Sequence, residues 1–281
     1  MDASKPSRTA FGVAFRRATH QLHDAPPHIL SDPIAVPILG AAMLPELENA
    51  KSELDAPGNL TLRAWLVARS RYAEDALARA VSQGVRQYVL LGAGLDTFAH
   101  RNPHPRLRVF EVDHPATQQW KRELVSAAQL PQPSSLTYAP CDFESQSLET
   151  QLRQSGFDPA APAFFAWLGV VPYLTLPAFR ATVAFLAARP TGSGVAFDYG
   201  QPLSALPLRE RPARKLFAAR VARAGEPFQL HFTPVEAARE LSGFLQLEDL
   251  GTSELNDLYF DNRTDKLRLH GASGRLLSAW L

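Results

Sequence analysis

Tyr88-Val89-Leu90-Leu91-Gly92-Ala93-Gly94-Leu95-Asp96 is the stretch that decides how this chain folds. A near-continuous apolar run enters a turn with two glycines, as a strand buried on both faces does in a parallel sheet. A second such run, Arg106 to Val112, ends in Glu111-Val112-Asp113. A strand, a glycine turn and an acid at the carboxyl end of the next strand are the layout of a nucleotide-type pocket in an open α/β sheet. Glycines let the backbone approach a ligand closely, and the acid accepts hydrogen bonds from ribose hydroxyls.

The same turn narrows the ligand. A NAD-type fingerprint needs a third glycine so that a helix packs beneath the pyrophosphate. Thr97 stands there, and Asp96 adds a negative charge that repels a pyrophosphate. A cation without phosphate suits the turn better. S-adenosylmethionine, with its sulfonium and ammonium, is the adenosine-bearing ligand of that kind. On the residues alone, a NAD-dependent oxidoreductase stays open as an alternative. So does a turn whose glycines serve only its own backbone angles.

Working outward, strands alternate with helices. Strands are expected at Ser135–Ala139, Ala163–Leu168 and Gly194–Tyr199, and helices at Gln118–Gln129, Leu176–Ala188 and Pro234–Gly243. Ahead of the glycine strand, the spacing of Leu62, Leu66, Ala73, Leu77 and Ala80 predicts a helix over Leu60–Gly84. Ser7–His20 reads as a further helix, with Ala10, Val13, Ala14 and Ala18 on one face and Pro26-Pro27 ending it. Asp32-Pro33 begins a short helix toward Gly40. Gln201–Leu230, rich in Arg and Pro, reads as a helical insertion. Leu245–Leu250, Asp257–Phe260 and the tail from Leu267 read as closing strands and irregular segments. The fold class expected is α/β, a doubly wound Rossmann-like sheet in one domain. Its parts are an N-terminal helical cap (1–84), a cofactor-binding half (85–200), a lid insertion (201–232) and a C-terminal part of the sheet (233–281).

The 281 residues include 46% hydrophobic ones, enough for a sizeable core, and carry a net charge of +1. That near-neutrality gives no footprint for nucleic acid or an anionic membrane. The single Cys141 excludes an intrachain disulfide and a cysteine zinc cluster, and fits a reducing cytoplasm. No signal-like or membrane-spanning run is read, since Pro162 and Pro172 break the most apolar stretch. His20, His23 and His28 have no metal-ligand spacing, so no metal is expected.

The chain resembles the leucine carboxyl methyltransferase-like family of S-adenosylmethionine-dependent methyltransferases, which includes bacterial O-methyltransferases and polyketide carboxyl methyltransferases. The resemblance rests on Ser7-Arg8-Thr9-Ala10 with Arg17-Ala18 and His20, Asp32-Pro33, and Arg69-Ser70-Arg71-Tyr72. It continues through Leu91-Gly92-Ala93-Gly94-Leu95-Asp96-Thr97 and Phe110-Glu111-Val112-Asp113-His114-Pro115 with Lys121. It implies a seven-stranded, mostly parallel sheet with an antiparallel last strand pair. It also implies roles. Arg71 matches the arginine that holds the cofactor's carboxylate, a task suited to a guanidinium fork. Gly92, Ala93 and Gly94 lie along the methionine moiety, beside Asp96. Asp113 matches the ribose acid, with Glu111, read as facing the other side of the strand, as second choice. Asp142-Phe143 match the pair that meets adenine.

The chain departs from the family at one position. The family often carries Glu-Gly-Leu-Leu-x-Tyr-Leu after the fourth strand; here Leu168-Gly169-Val170-Val171-Pro172-Tyr173-Leu174 stands there. Leu168 replaces an acid that lies beside the cofactor's methionine end, so another group must compensate. Tyr173 keeps a place near the acceptor as a catalytic and substrate-side group, with His20 as a candidate base and Arg17 as a candidate substrate contact. The expected activity is an O-methyl transfer to a carboxyl or hydroxyl oxygen of a small, largely apolar acceptor. A protein carboxyl methyltransferase and a non-catalytic cofactor-binding protein remain alternatives.

Overall fold

A computed structural model describes residues 8–50, 55–143, 145–223 and 225–281. Seven strands form one sheet: β1 Gln87–Leu91, β2 Arg108–Asp113, β3 Leu136–Pro140, β4 Ala163–Trp167, β5 Gly194–Gly200, β6 Gln246–Leu250 and β7 Gly274–Trp280. Their order is β3-β2-β1-β4-β5-β7-β6. The first five run parallel, and β7 lies antiparallel between β5 and β6. Parallel strands with helical crossovers are covered on both faces, so they carry no polar side. All five residues of β1, and likewise of β4, are accordingly buried.

The chain reverses direction across the sheet between β1 and β4, and a crevice opens at the carboxyl ends there. Register fixes what meets at that point. Leu91 of β1 lies opposite Val112 of β2. The N–H groups of Gly92 and Ala93 then both donate to the Val112 carbonyl, at 2.8 and 3.0 Å, which holds the glycine turn against the end of β2.

Nine helices among the described residues flank this sheet: α1 Arg8–His23, α2 Leu44–Asn49, α3 Pro57–Ser82, α4 Pro115–Ala127, α5 Leu148–Gln154, α6 Leu176–Ala187, α7 Arg211–Arg223, α8 Pro234–Glu240 and α9 Thr252–Tyr259. The long α3 starts with Pro57 at its first turn, and Gly84, at φ 103°, takes the chain out of it. Ser7, the expected start of α1, lies outside the described residues. Three expectations need correction. Asp257–Phe260 is not a strand: Asp257 to Tyr259 belong to α9, whose buried Leu255 and Asn256 face the core. Asp32-Pro33 begins a turn, with only a single 3-10 turn at Pro37–Leu39, because Asp32 is engaged elsewhere. Helix α5 was not expected; it is seven residues long and carries two buried leucines, too short to show a period.

Asp32 is engaged by Arg17. The Arg17 guanidinium, from the middle of α1, donates to Asp32 at 2.5 Å, to the Thr97 hydroxyl at 2.8 Å and to Asp96 at 3.2 Å. Thr97 in turn donates to Asp32. Both Arg17 and Asp32 are shut off from water. The N-terminal helix is therefore fixed on the glycine turn by a charge cluster, and the small residues of its face close the contact: a methyl group on Gly94 would lie 3.2 Å from Ala10 Cβ. Removing one partner of a buried pair leaves the other charge uncompensated. Arg17→Ala is expected to destabilise the protein by about 3–5 kcal/mol, read as a lower urea midpoint at an unchanged m-value.

Candidate active site

The crevice between β1 and β4 is assembled from loops at the carboxyl ends of four neighbouring strands. After β1, Gly92 and Gly94 take φ of 71° and 50°, the left-handed region that glycine enters without cost. Gly92 also has no room for a side chain: a methyl group there would lie 2.4 Å from Val170, on the loop after β4. After β2, Asp113 accepts from the Gly94 N–H at 2.5 Å and the His114 N–H at 2.7 Å. Burial raises its carboxyl above the usual value, and those two donors oppose the rise. Beyond β3, the Cys141 N–H donates to the Asp113 carbonyl, which brings Asp142 and Phe143 alongside. Phe143 packs partly on the core, and Asp142 accepts from the Ser145 hydroxyl at 2.7 Å.

Beyond β4, Leu168 is half-buried against the core, and Gly169 turns at φ 71°. A methyl group on Gly169 would lie 2.7 Å from the Arg69 guanidinium. Arg69 reaches over from α3 and donates to Asp198 of β5 at 3.0 Å. The other Asp198 oxygen accepts from the Gly169 N–H at 2.5 Å. The Nε of Arg69 is buried and has no hydrogen-bond partner among the described residues. A buried guanidinium with a spare N–H suits a carboxylate.

Several expected site residues lie elsewhere. Arg71 does not reach the glycine turn. It is 46% exposed and pairs with Asp75 one turn along α3 at 2.8 Å. Arg69, three residues after Leu66 and four before Ala73, stands on the apolar inner face; Arg71 is off that stripe. Arg17 is consumed by Asp32, Thr97 and Asp96, so it is no open substrate contact. His20 is fully enclosed; its Nδ1 donates to Asp24 at 2.7 Å, and Asp24 is held in turn by Arg63. Burial lowers its basicity, and its ring is shut off from solvent. Asp96 bonds to Arg17 and to the Phe98 N–H. Burial works against its charged form, but Arg17, Arg101 and Lys121 outweigh that and hold its pKa low. Glu111 shares a face with Asp113, two residues along the same strand, and what removes it from the ribose position is Lys121, which donates to it at 2.5 Å in the core.

Tyr173 ends a 3-10 turn, Val171–Tyr173, on the same loop as Gly169. Its ring lies 5.3 Å from that of Phe228. Gln229 ties the two segments together: its N–H donates to the Pro172 carbonyl and its side-chain amide to that of Tyr173. Burial pushes the Tyr173 hydroxyl up to about 12, so at neutral pH it is a donor and not a base. A cleft of about 530 Å³ opens beside Phe228, lined by Gln201, Leu203, Arg214, Ala218 and His231 among others. Sequence reasoning chose Arg71 over its motif neighbour Arg69, and missed Asp198, Arg214 and His231. Asp198 had a visible signal, as an acid inside the apolar strand Gly194–Gly200. Among the described residues, no group of three His, Cys, Asp or Glu is placed to hold a metal ion, and no helix is long and apolar enough to cross a membrane.

The sheet order and the crevice define an α/β protein of the methyltransferase type. Residues 10–187 match the leucine carboxyl methyltransferase family. The chain is 33% identical, over 95% of its length and 95% of the relative's, to a Bacillus subtilis protein named "Putative S-adenosyl-L-methionine-dependent methyltransferase YktD". A Mycobacterium tuberculosis protein of the same description is 29% identical over 97% of this chain and 74% of its own. This chain belongs to the leucine carboxyl methyltransferase family and is an S-adenosylmethionine-dependent methyltransferase. In fold it is similar to a solved methyltransferase-type structure from Thermobifida fusca (TM-score 0.60, 19% identity, 99% of this chain and 96% of that one). A DUF574 family protein from Streptomyces avermitilis is similar at TM-score 0.56 and 18% identity, over 94% of this chain and 96% of that one.

The two arginines of α3 are separable by stability alone. Arg69→Ala leaves Asp198 buried and unpaired, and is expected to cost about 3–5 kcal/mol. Arg71→Ala removes an exposed pair and is expected to change stability by less than about 0.5 kcal/mol. Chemical denaturation of both variants checks the assignment.

Proposed function

We propose that the methyl acceptor is a small, largely apolar molecule that receives the methyl on a carboxyl or hydroxyl oxygen. The observation that carries this reading is the placement of the Phe228 cleft. It lies next to the loop of Gly169 and Tyr173, at the same sheet end as the glycine turn. An apolar cleft with a few convergent polar groups is how small-molecule sites are built. A net charge of +1 supports no polyanionic acceptor.

Bound S-adenosylmethionine supplies an activated methyl on a good leaving group, so the protein's task is mainly positioning and exclusion of water. In this reading Asp113 accepts from the ribose hydroxyls, and Gly92, Ala93 and Gly94 let the methionine portion lie against backbone. Asp142 and Phe143 meet the adenine. Arg69, in place of Arg71, holds the carboxylate through its free Nε–H. Asp198 stands where the acid absent at Leu168 is needed: one strand over, with an oxygen already at the Gly169 N–H. Tyr173 donates to the acceptor, and residues 201–232 cover the acceptor side.

The assignment predicts two different failures. Asp113→Ala should weaken binding of S-adenosylhomocysteine by about 1.5–3 kcal/mol, the scale of a hydrogen bond to a charged acceptor, as measured by calorimetry. Tyr173→Phe should leave that affinity unchanged and lower turnover. The acceptor class is tested by transfer of labelled methyl to a panel of small carboxylic acids, phenols and alcohols. Labelling of tRNA or of protein carboxyl termini, with none of the small molecules methylated, would overturn it.

A further inference from the structure

Arg214, on α7, is a cation without an acid. Its guanidinium lies over the rings of Phe228 and Phe217, at 4.5 and 5.9 Å, and 3.5 Å from His231 Nε2. No ion pair forms on it among the described residues, and none of the residues lining the cleft is Asp or Glu, whereas Lys215 also lines it. Burial lowers its basicity, opposed only by the neighbouring Tyr173; no carboxylate stabilises it. His231 is held neutral by burial and by the Arg214 charge.

Its position relative to the crevice is set by β5. A methyl group on Gly200 would lie 3.0 Å from an Arg214 terminal nitrogen. Gly200 and Asp198 stand on the same face of β5, two residues or about 7 Å apart along the strand. Asp198 carries Arg69. The two guanidiniums thus lie against the same face of β5, toward its carboxyl end. The bare backbone of Gly200 lets the Arg214 guanidinium pack close against it.

We propose that Arg214 is the specificity-determining residue of the acceptor site, and that it selects an anionic acceptor: a small molecule with an acid group on the guanidinium and an apolar body against Phe228 and the alanines of α7. The proposal rests on the small-molecule reading above and narrows it. A half-buried guanidinium answered only by aromatic rings and an imidazole is partly desolvated without a counter-charge, and an entering carboxylate supplies one. His231, a neutral acceptor beside the guanidinium, orients its fork.

The test is binding to the protein saturated with S-adenosylhomocysteine. Calorimetry with 3-phenylpropionate, benzoate and octanoate, and with the corresponding amides, compares wild type with Arg214→Gln and Arg214→Lys. The acids should bind and the amides bind more weakly. Arg214→Gln should weaken the acids by about 10- to 100-fold, the range for a lost hydrogen bond to a charged group, with S-adenosylhomocysteine affinity unchanged as the control for folding. Arg214→Lys should restore part of the loss. Equal binding of acids and amides, no binding of any acid, or Arg214→Gln indistinguishable from wild type overturns the proposal. If the acids bind through Arg214 but no methyl reaches any acid, phenol or alcohol, the acceptor class proposed above falls while the anion site stands.

Discussion

Arg17 is a cation sealed from water, and the way the N-terminal helix sits on the sheet follows from its need for partners. Its own helix offers it no acid. It finds Asp32 on the following turn and Asp96 on the glycine turn, with the Thr97 hydroxyl between them. An ion buried without such partners costs several kcal/mol, so α1 cannot drift from the turn without exposing or stranding all three groups. The same cluster holds Asp96 ionised against the pull of burial, and it sets the inner surface of α1 so close that Gly94 meets Ala10. The cap is thus part of the cofactor crevice and not an appendage to it.

A second charge arrangement governs the opposite wall. Leu168 leaves the loop after β4 without the family's acid. From the next strand Asp198 brings a carboxylate to that loop, accepting from both the Gly169 N–H and Arg69. The register of β4 and β5 sets Trp167 opposite Phe197, so Asp198 lies level with the point where β4 ends. Gly92 and Gly169 let side chains pack directly on the backbone of the two turns, Val170 on one and Arg69 on the other.

The insertion after β5 then decides what the crevice faces. Its exposed side carries Leu208 and Leu216, while Phe228 turns inward to Tyr173. Gln229 fastens it to the loop after β4 with two hydrogen bonds to backbone carbonyls. The cleft beside Phe228 is therefore walled by aromatic rings, with the Arg214 guanidinium lying over two of them.

By itself, the sequence determined the sheet and the cofactor. Continuous apolar runs, a two-glycine turn and Asp113 at a strand end are local features, because strand period, glycine dihedrals and strand-end position are set within a few residues. Gly92, Ala93, Gly94, Asp113 and the Asp142-Phe143 pair all lie at that crevice. Tertiary structure decided which of several similar side chains faces it. Arg69 and Arg71 differ by two helix positions, and only packing against β5 makes the first an interior group and the second a surface one. Arg17 and His20 sit in family-like motifs, but their partners, Asp32, Asp96 and Asp24, are chosen by how α1 lies on the chain that follows. Asp198 and Arg214 come to the site through pairings 129 residues apart in one case and across an insertion in the other. No local pattern encodes a contact of that separation, since a buried charge is satisfied by whatever the fold brings to it.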